Sequence, residues 1–181
     1  ANIAVYIFCT IQGNVLYNMG SLSVVDIINR QEYYRILTSL FLHANPQHIW
    51  GNMIFLAALG DMLERSIGHG RFFAIYMLAG IGGNLLSMGH ELATGQFCST
   101  IGASGAVFGL IGALLLLICK NNGTYGQISF RRMIFAIVYL FYSGIQSETT
   151  NNMAHLGGFI TGFAVMAVFY CIARRRYKRI R

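Results

Sequence analysis

The sequence contains few charged residues. Asp, Glu, Lys and Arg make up only 10% of its 181 residues, against about 25% in an average soluble domain. Hydrophobic residues make up 55% and the mean hydropathy is +0.55, which is too apolar for a disordered chain. Because a soluble protein of this size could not cover its surface with so few charges, the composition predicts an integral membrane protein.

Metal-binding and cofactor-binding motifs are also missing. The four cysteines form no CxxC pair and three of them lie in apolar runs, so neither a metal site nor a disulfide framework is expected. The sequence has no His-Glu-x-x-His motif of zinc proteases, no P-loop and no dinucleotide-binding motif. An aspartyl pair at membrane depth is missing as well, since only Asp61 comes close. We therefore expect no metal and no cofactor.

Six stretches of low charge predict six membrane spans. A span needs about 17–25 residues, and the fifth stretch is shorter than that. The first stretch lacks the basic residues that open a signal peptide, which favours a span. We expect one transmembrane domain over residues 1–181 and leave open an N-terminal extension that is absent from this chain. The predicted spans are 1–17, 48–63, 72–90, a fourth within 92–119, 133–147 and 153–173.

The positive charges indicate the orientation of these spans. With six spans and a cytoplasmic C-terminus, the cytoplasmic side receives 11 of the 13 Lys and Arg residues, and the outer side only Arg30 and Arg35. The positive-inside rule then places both termini in the cytoplasm. It also explains the net charge of +7 without a nucleic-acid partner, because six of these residues follow the last span directly.

Polar side chains gather at the starts of the second, fourth and sixth spans, all on the outer side. A helix from Ser104 to Cys119 would be about 24 Å long, which is shorter than the hydrocarbon core of about 30 Å. Its first turn should therefore lie below the outer surface, at the floor of an aqueous pocket. The residues at these starts are His43, His48 and Asn52, then Gly102, Ala103, Ser104 and Gly105, then Asn151, Asn152 and His155.

Glycine spacing predicts that Ser104 and His155 face each other. Small residues at helical spacing let two membrane helices approach closely, and such residues follow both Ser104 and His155 along the helix. In that arrangement a neutral His155 can take the proton of the Ser104 hydroxyl and make it a nucleophile. The alternative is that these residues only pack the two helices together. The small residues are Gly105, Gly109 and Gly112 in the fourth span and Gly158 and Gly162 in the sixth.

No acidic residue is expected near this pair. Glu148 lies in a loop, and Asp61 and Glu64 lie at the cytoplasmic end of the second span. The predicted site is therefore a Ser–His dyad and not a triad, so another group must orient the imidazole. The candidates for that role are Phe108, one turn below Ser104, and Asn151 or Asn152.

His48 and Asn52 are four residues apart, on one face of the second span. Both side chains can therefore donate to one oxygen atom in the pocket, together with the backbone N–H of Ser104. We predict that they stabilise the negative charge that develops when Ser104 attacks a carbonyl group. The alternative is that they only join helices. His43, just before the span, is expected to brace the loop.

Taken together, these motifs resemble the rhomboid family of intramembrane serine proteases, in its bacterial six-helix core form. The resemblance implies an all-α bundle of six transmembrane helices in which a short fourth helix begins at the nucleophile, Ser104, with His155 as the base. It also implies that His48 and Asn52 are the oxyanion residues and that the protein lies in a bacterial plasma (inner) membrane. The further matching residues are Arg35, in the pair Tyr34-Arg35 of the first outer loop, and Glu64, in Glu64-x-x-x-Gly68.

The resemblance implies cleavage of single-span or multi-span membrane proteins within a transmembrane segment, near the outer face of the bilayer. A peptide bond in a helix is shielded by the helix's own hydrogen bonds, so the substrate must locally unwind. Our hypothesis is that it enters sideways from the lipid, beside the short fifth span. Two alternatives stay open: a non-catalytic rhomboid-like protein that binds membrane proteins, and a small channel or transporter that uses the same polar cavity.

Overall fold

The computed structural model describes residues 1–13, 15–147 and 149–179, with the backbone alone for 174–179. This part of the chain is mostly helical, which agrees with the predicted all-α class at that coarse level. The basic side chains of 174–181 and the loop residue Glu148 lie outside the described residues. The helices are α1 (Asn2–Gln12), α2 (Val15–Gly20), α3 (Val24–Arg30), α4 (Arg35–Thr38), α5 (Pro46–Ile67), α6 (His69–Thr94), α7 (Ser104–Lys120), α8 (Phe130–Ile145) and α9 (Asn152–Arg179).

Two of these helices are long and apolar enough to cross a membrane, judged by length and composition. They are α6 and the stretch Asn152–Ala173 of α9, whereas α1 and α7 are apolar but shorter. Helix α5 is as long as a span, but its last turns carry Asp61, Glu64 and Arg65. A short antiparallel hairpin, with strands β1 (Thr124–Tyr125) and β2 (Ile128–Ser129), joins α7 to α8.

The first stretch of the chain differs from the expected continuous span over 1–17. Helix α1 ends at Gln12 and α2 begins at Val15. Between them Gly13 has φ +69° and ψ −154°, a backbone conformation that residues with a Cβ atom rarely adopt. The glycine therefore interrupts the helix, and two helical segments replace the single one that the apolar run predicts.

Helix α7 is the centre of the described structure. Every side chain from Gly105 to Leu114 is buried, and the helix is apolar on all sides, as expected for a helix enclosed by others. Helices α6 and α9 pack along most of its length. The largest core cluster around this helix includes Leu63, Ile75, Leu110, Leu114, Ile118 and Met166.

Arg35 organises the segment between α2 and α5. Its side chain is 3% exposed, and Nη1 donates to the carbonyl oxygens of Asn18 and Ser21, both at 2.9 Å. Nε donates to the Glu32 carboxylate at 2.6 Å, and Asp26 adds an ion pair at 3.5 Å. The rigid fork of a guanidinium suits this set of acceptors. The segment between α2 and α5 is thus a folded unit held together by one buried cation.

Glu64 shapes the turn between α5 and α6. Its carbonyl oxygen accepts a hydrogen bond from Gly68 N at 2.8 Å, and its carboxylate is paired with His69 Nδ1 at 2.5 Å. Gly68 has φ +84°, which favours glycine at the end of a helix. The spacing Glu64-x-x-x-Gly68 therefore corresponds to the end of one helix and the immediate start of the next.

Candidate active site

The starts of α5 and α7 meet at Gly102. A Cβ atom added at Gly102 would lie 2.7 Å from His48 Nε2 and 3.8 Å from Ser104 Oγ. The residue also has φ +129°, which strains any side chain other than glycine. Gly102 therefore leaves open the space that His48 and Ser104 share.

Ser104 is the first residue of α7 and is half-buried. The first N–H groups of a helix have no acceptor within it, so the backbone amide of Ser104 is available to donate to a bound group. Just before it, the amide of Ala103 donates to His43 Nε2 at 3.5 Å. The first residue of α7, Ser104, therefore carries both a hydroxyl group and an available backbone N–H donor.

The first turn of α9 lies against the first turn of α7. A Cβ atom added at Gly105 would meet the carbonyl oxygen of Ala154 at 3.3 Å, and one added at Gly158 would collide with the backbone of Gly105. Ser104 directly precedes Gly105 in the chain, and His155 directly follows Ala154. The contact puts the helical turns that carry these two residues side by side, and the predicted pairing of their side chains stays a prediction.

His155 is 9% exposed and stacks on Phe108. The two ring centroids are 4.1 Å apart and the rings are 11° from parallel, while Phe141 of α8 packs edge-on against Phe108 at 5.1 Å. Nδ1 of His155 is buried and has no hydrogen-bond partner among the described residues. Stacking on Phe108 is therefore the contact that orients the imidazole.

No hydrogen bond joins Ser104 and His155 in the part of the chain that the structure describes. Hydrogen bonds between reacting groups are often long in a free active site and tighten only when the substrate binds. Neither Asn151 nor Asn152 forms a hydrogen bond with the imidazole among the described residues. Asn151 Oδ1 accepts a hydrogen bond from Ala154 N at 3.0 Å, and Asn152 Oδ1 is buried without a described partner.

His48, Asn52 and His43 line the α5 side of the site. Asn52 is 7% exposed, and its Nδ2 donates to His48 O at 2.9 Å, which leaves its second N–H hydrogen for another acceptor. The His43 and His48 rings meet edge-on at 5.1 Å. Burial lowers the pKa of His43 to about 4, so the ring is neutral at pH 7 and Nε2 can accept the Ala103 amide.

One buried carboxylate, that of Glu91, is linked by hydrogen bonds to the residue before α9, although it forms no hydrogen bond with Ser104 or His155 among the described residues. Glu91 is 3% exposed, and its carboxylate accepts a hydrogen bond from Ser87 Oγ at 3.1 Å. Ser87 Oγ in turn accepts from Asn151 Nδ2 at 2.6 Å, directly before the helix that carries His155. The sequence signal that could have found it is a single carboxylate at the outer end of the third predicted span.

Among the described residues, no group of three or more His, Cys, Asp or Glu side chains could hold a metal ion. The polar groups around Ser104 are instead a hydroxyl, imidazoles, an amide side chain and free backbone N–H groups. This set can activate a nucleophile and stabilise an oxyanion.

Comparison with known proteins identifies relatives over most of the chain. The family model of the Rhomboid domain matches residues 30–172. The chain is 37% identical over 156 residues to RHOMBOID-like protein 1 of Arabidopsis thaliana, 34% over 142 residues to Rhomboid protease GluP of Bacillus subtilis (strain 168), and 33% over 162 residues to Rhomboid-like protease 1 of Toxoplasma gondii. These alignments cover 85%, 78% and 84% of this chain.

The chain is shorter than these relatives. It spans 39% of the Arabidopsis protein, 27% of the Bacillus protein and 52% of the Toxoplasma protein. The similarity therefore concerns the rhomboid domain and not the whole length of the relatives. A single domain over residues 1–181 stays a prediction.

Proposed function

The chain belongs to the rhomboid family, and from this premise we propose that it is an intramembrane serine endopeptidase with Ser104 as nucleophile and His155 as general base. The observation that carries the proposal is the backbone contact between Gly105 and Ala154. Because of this contact, Ser104 and His155 lie on the first turns of two helices that face each other. Two relatives, from Bacillus and Toxoplasma, are named as proteases.

The proposed arrangement in the bilayer has six spans with both termini in the cytoplasm. The spans are α1 together with α2, then α5, α6, α7, α8 and α9, with α7 as a short fourth span that begins at Ser104. The distribution of Lys and Arg supports this orientation. It puts the starts of α5, α7 and α9 on the outer side, in agreement with the contacts between them. The relatives come from a plant and from Toxoplasma as well as from Bacillus, so the bacterial plasma membrane stays a prediction from the resemblance.

The proposed chemistry begins with proton transfer. Nε2 of His155 takes the proton of Ser104 Oγ, since Nδ1 is buried, and Oγ attacks the carbonyl carbon of the scissile bond. The imidazolium then gives the proton to the leaving amine, and a water molecule hydrolyses the acyl-enzyme by the same two steps. Stacking on Phe108 keeps the imidazole in one plane during both steps.

The negative charge on the attacked carbonyl oxygen needs fixed donors. We assign this role to His48, Asn52 and the backbone N–H of Ser104. The closeness of His48 Nε2 and Ser104 Oγ to the same point at Gly102 supports the assignment. One such donor typically lowers the barrier by about 2.7–4 kcal/mol.

The substrate is proposed to enter from the lipid beside α8. In the described part of α8 only Met133 and Gly144 are buried, so this helix is held less firmly than α7 or α9. Cysteines in place of Trp50 on α5 and Ile145 on α8, both 70% exposed, are treated with a flexible bis-maleimide after Cys98, Cys119 and Cys171 are replaced by Ser. The same variant without the bridge is the activity reference, because Cys98 hydrogen-bonds to Glu91. The bridge should stop cleavage while a small fluorophosphonate still labels Ser104. Unchanged cleavage would reject this entry route.

The decisive experiment compares the parent protein with Ser104→Ala. Both are reconstituted in liposomes with a model single-span substrate and treated with a fluorophosphonate. We expect cleavage and labelling by the parent and neither by the variant. Binding of the substrate without cleavage by either protein would instead indicate a non-catalytic binder, and ion or solute flux that survives Ser104→Ala would indicate a channel or transporter.

A further inference from the structure

Five polar side chains next to the start of α9 form a closed ring of hydrogen bonds. We call them the Glu91 ring. Ser87 Oγ donates to Glu91 Oε1 at 3.1 Å, and Asn151 Nδ2 donates to Ser87 Oγ at 2.6 Å and to Thr100 Oγ1 at 2.8 Å. Cys98 closes the ring, since its Sγ lies 3.7 Å from Thr100 Oγ1 and 3.5 Å from Glu91 Oε1. The ring joins α6, the segment before α7 and the residue before α9.

Glu91 is an unusual residue for its place. It is 3% exposed and lies in the last turn of α6, where the helix dipole disfavours a negative charge. Burial also disfavours a carboxylate unless hydrogen bonds compensate. The Glu91 carboxylate accepts hydrogen bonds from three donors: Ser87 Oγ, Cys98 Sγ and Cys98 N, the last at 3.2 Å from Oε2. Within the described residues no Lys or Arg forms an ion pair with Glu91.

Asn151 is the residue through which the ring reaches α9. Its Oδ1 caps the helix by accepting from Ala154 N at 3.0 Å, and its backbone oxygen accepts from His155 N at 3.2 Å. The two hydrogens of Nδ2 are given to Ser87 and Thr100. Both N–H hydrogens of the Asn151 side chain are therefore donated. The two hydrogen bonds that Asn151 accepts from α9, from Ala154 N and His155 N, both lie in the turn that carries His155.

The same ring is connected to the approach to Ser104. Thr100 pairs with Leu22 in an isolated bridge, with hydrogen bonds of 2.9 and 3.0 Å between their backbones. Cys98 N is bound to Glu91. Both residues lie in the irregular segment 95–103 that leads into α7. The ring therefore holds the segment before the nucleophile and the turn with the base to one common point on α6.

We propose that Glu91 and Ser87 are positioning residues: by orienting Asn151 they set the distance between His155 and Ser104. This inference rests on the proposed function. The physical reason for an effect on catalysis is that a fully connected polar network around a buried carboxylate specifies one geometry. A misplacement of reacting groups by about 1 Å can lower a rate by about 100-fold.

Asn151→Asp separates the helix cap from the ring. Aspartate caps a helix as well as asparagine does, but it has no N–H to give to Ser87 or Thr100. We expect a melting temperature close to the parent's and a fall in kcat of about 10- to 100-fold with KM unchanged. Because a second carboxylate would then face Glu91, the double variant Glu91→Gln, Asn151→Asp shows whether repulsion alone causes the fall.

Ser87→Ala removes the hydroxyl that links Glu91 to Asn151. We expect about a 10-fold fall in kcat and an equal fall in the rate of fluorophosphonate labelling, which does not depend on docking of a transmembrane substrate. The matched control is Tyr76→Phe on the same helix. It removes a buried hydrogen bond of 3.1 Å from Asn2 outside the ring, so it should leave kcat and labelling within two-fold of the parent.

Hydrogen exchange at residues 151–158 gives a readout that does not require activity. We expect faster exchange at the start of α9 in Ser87→Ala and Asn151→Asp, and not in Tyr76→Phe. Unchanged exchange in both ring variants would overturn the inference, and so would full kcat in both or a kcat loss no larger than that of Tyr76→Phe. A parent protein that neither cleaves nor is labelled would refute the proposed function instead, and exchange alone would then decide whether the ring holds α9.

Discussion

Helices α9 and α8 both flank the end of α7 that carries Ser104, but they are held in different ways. Along α9, Gly158 and Gly162 lie directly on the backbone of Gly105 and Gly109, with no side chain between the helices. Helix α8 reaches the site through the ring of Phe141, which packs against Phe108. A contact between backbones leaves little freedom, whereas a contact between side chains can rearrange. The fixed side carries the proposed base, His155, and the adaptable side faces the proposed entry route.

The strongest test of the fixed side is Gly158→Ala. The added methyl group would collide with the backbone of Gly105, so α9 must move away from α7 and take His155 with it. We expect a loss in kcat/KM of about 100-fold together with a lower melting temperature. Cleavage assays and thermal unfolding in the same detergent measure both effects.

Gly89→Ala is the matched control for this substitution. Gly89 also lies inside a membrane helix, α6, but nothing lies within 4 Å of an added Cβ. Alanine favours helix formation over glycine by about 0.5–1 kcal/mol, so stability should not fall and activity should stay within two-fold. If Gly158→Ala were as active as Gly89→Ala, close contact between α7 and α9 would not be what holds the reacting pair.

His48→Ala and Asn52→Ala extend the comparison to α5, the third helix that begins at the site. Each variant should lower kcat by about 100-fold, because loss of one oxyanion donor typically costs a factor of about 100–1,000. KM and the melting temperature should change little. Gln47→Ala, an exposed neighbour on the same turn, is the control. Unaltered turnover in both variants would remove these residues from the oxyanion role.

Phe108 is the residue at which the fixed and adaptable sides meet. Phe108→Leu removes the stacking partner of His155 and should lower kcat by about 10-fold, whereas Phe108→Tyr keeps the ring and should retain most of the activity. Phe141→Leu, on the α8 side, should have a smaller effect because Phe141 packs edge-on against Phe108, whereas Phe108 itself stacks on His155. Equal losses in Phe108→Leu and Phe141→Leu would mean that α8 fixes the base as firmly as α7 does.

The smallest effect is expected on the outer face of α8. Phe135 is 75% exposed, and its contacts in the bilayer would be with lipid alone. Phe135→Ala should leave kcat, KM and the melting temperature within about two-fold and 2 °C of the parent, since exposed substitutions away from packed sites usually change stability by less than about 0.5 kcal/mol. A large loss of activity would show that this face contacts the substrate.

The glycine pattern was the most informative part of the sequence for the site. The spacing of Gly105, Gly158 and Gly162 predicted that two helices distant in the chain approach each other, and the structure has their backbones in contact. Small residues carry this information because close approach is a steric requirement that each position meets by itself. The catalytic roles of Ser104 and His155 stay a prediction.

Other features could not be read from local pattern. The apolar run 1–17 is uniform, so hydropathy did not reveal that Gly13 interrupts the helix. Glu91 looked like a residue at the end of a span, and its connection with the start of α9, through Ser87 on one side and through Cys98 and Thr100 on the other, depends on tertiary contacts. Phe108, Asn151 and Asn152 were all candidates to orient His155. In the structure Asn151 caps α9, and Phe108 stacks on the imidazole.

The sequence by itself determined that this is a helical membrane protein with polar groups at three helix starts, because charge, hydropathy and helical spacing depend on residues close together in the chain. Only the tertiary structure decided which of those groups touch. Ser87 and Asn151 are 64 positions apart, and a hydrogen bond between them depends on the packing of α6, α7 and α9 to within a fraction of an ångström. No local pattern of residues carries that distance.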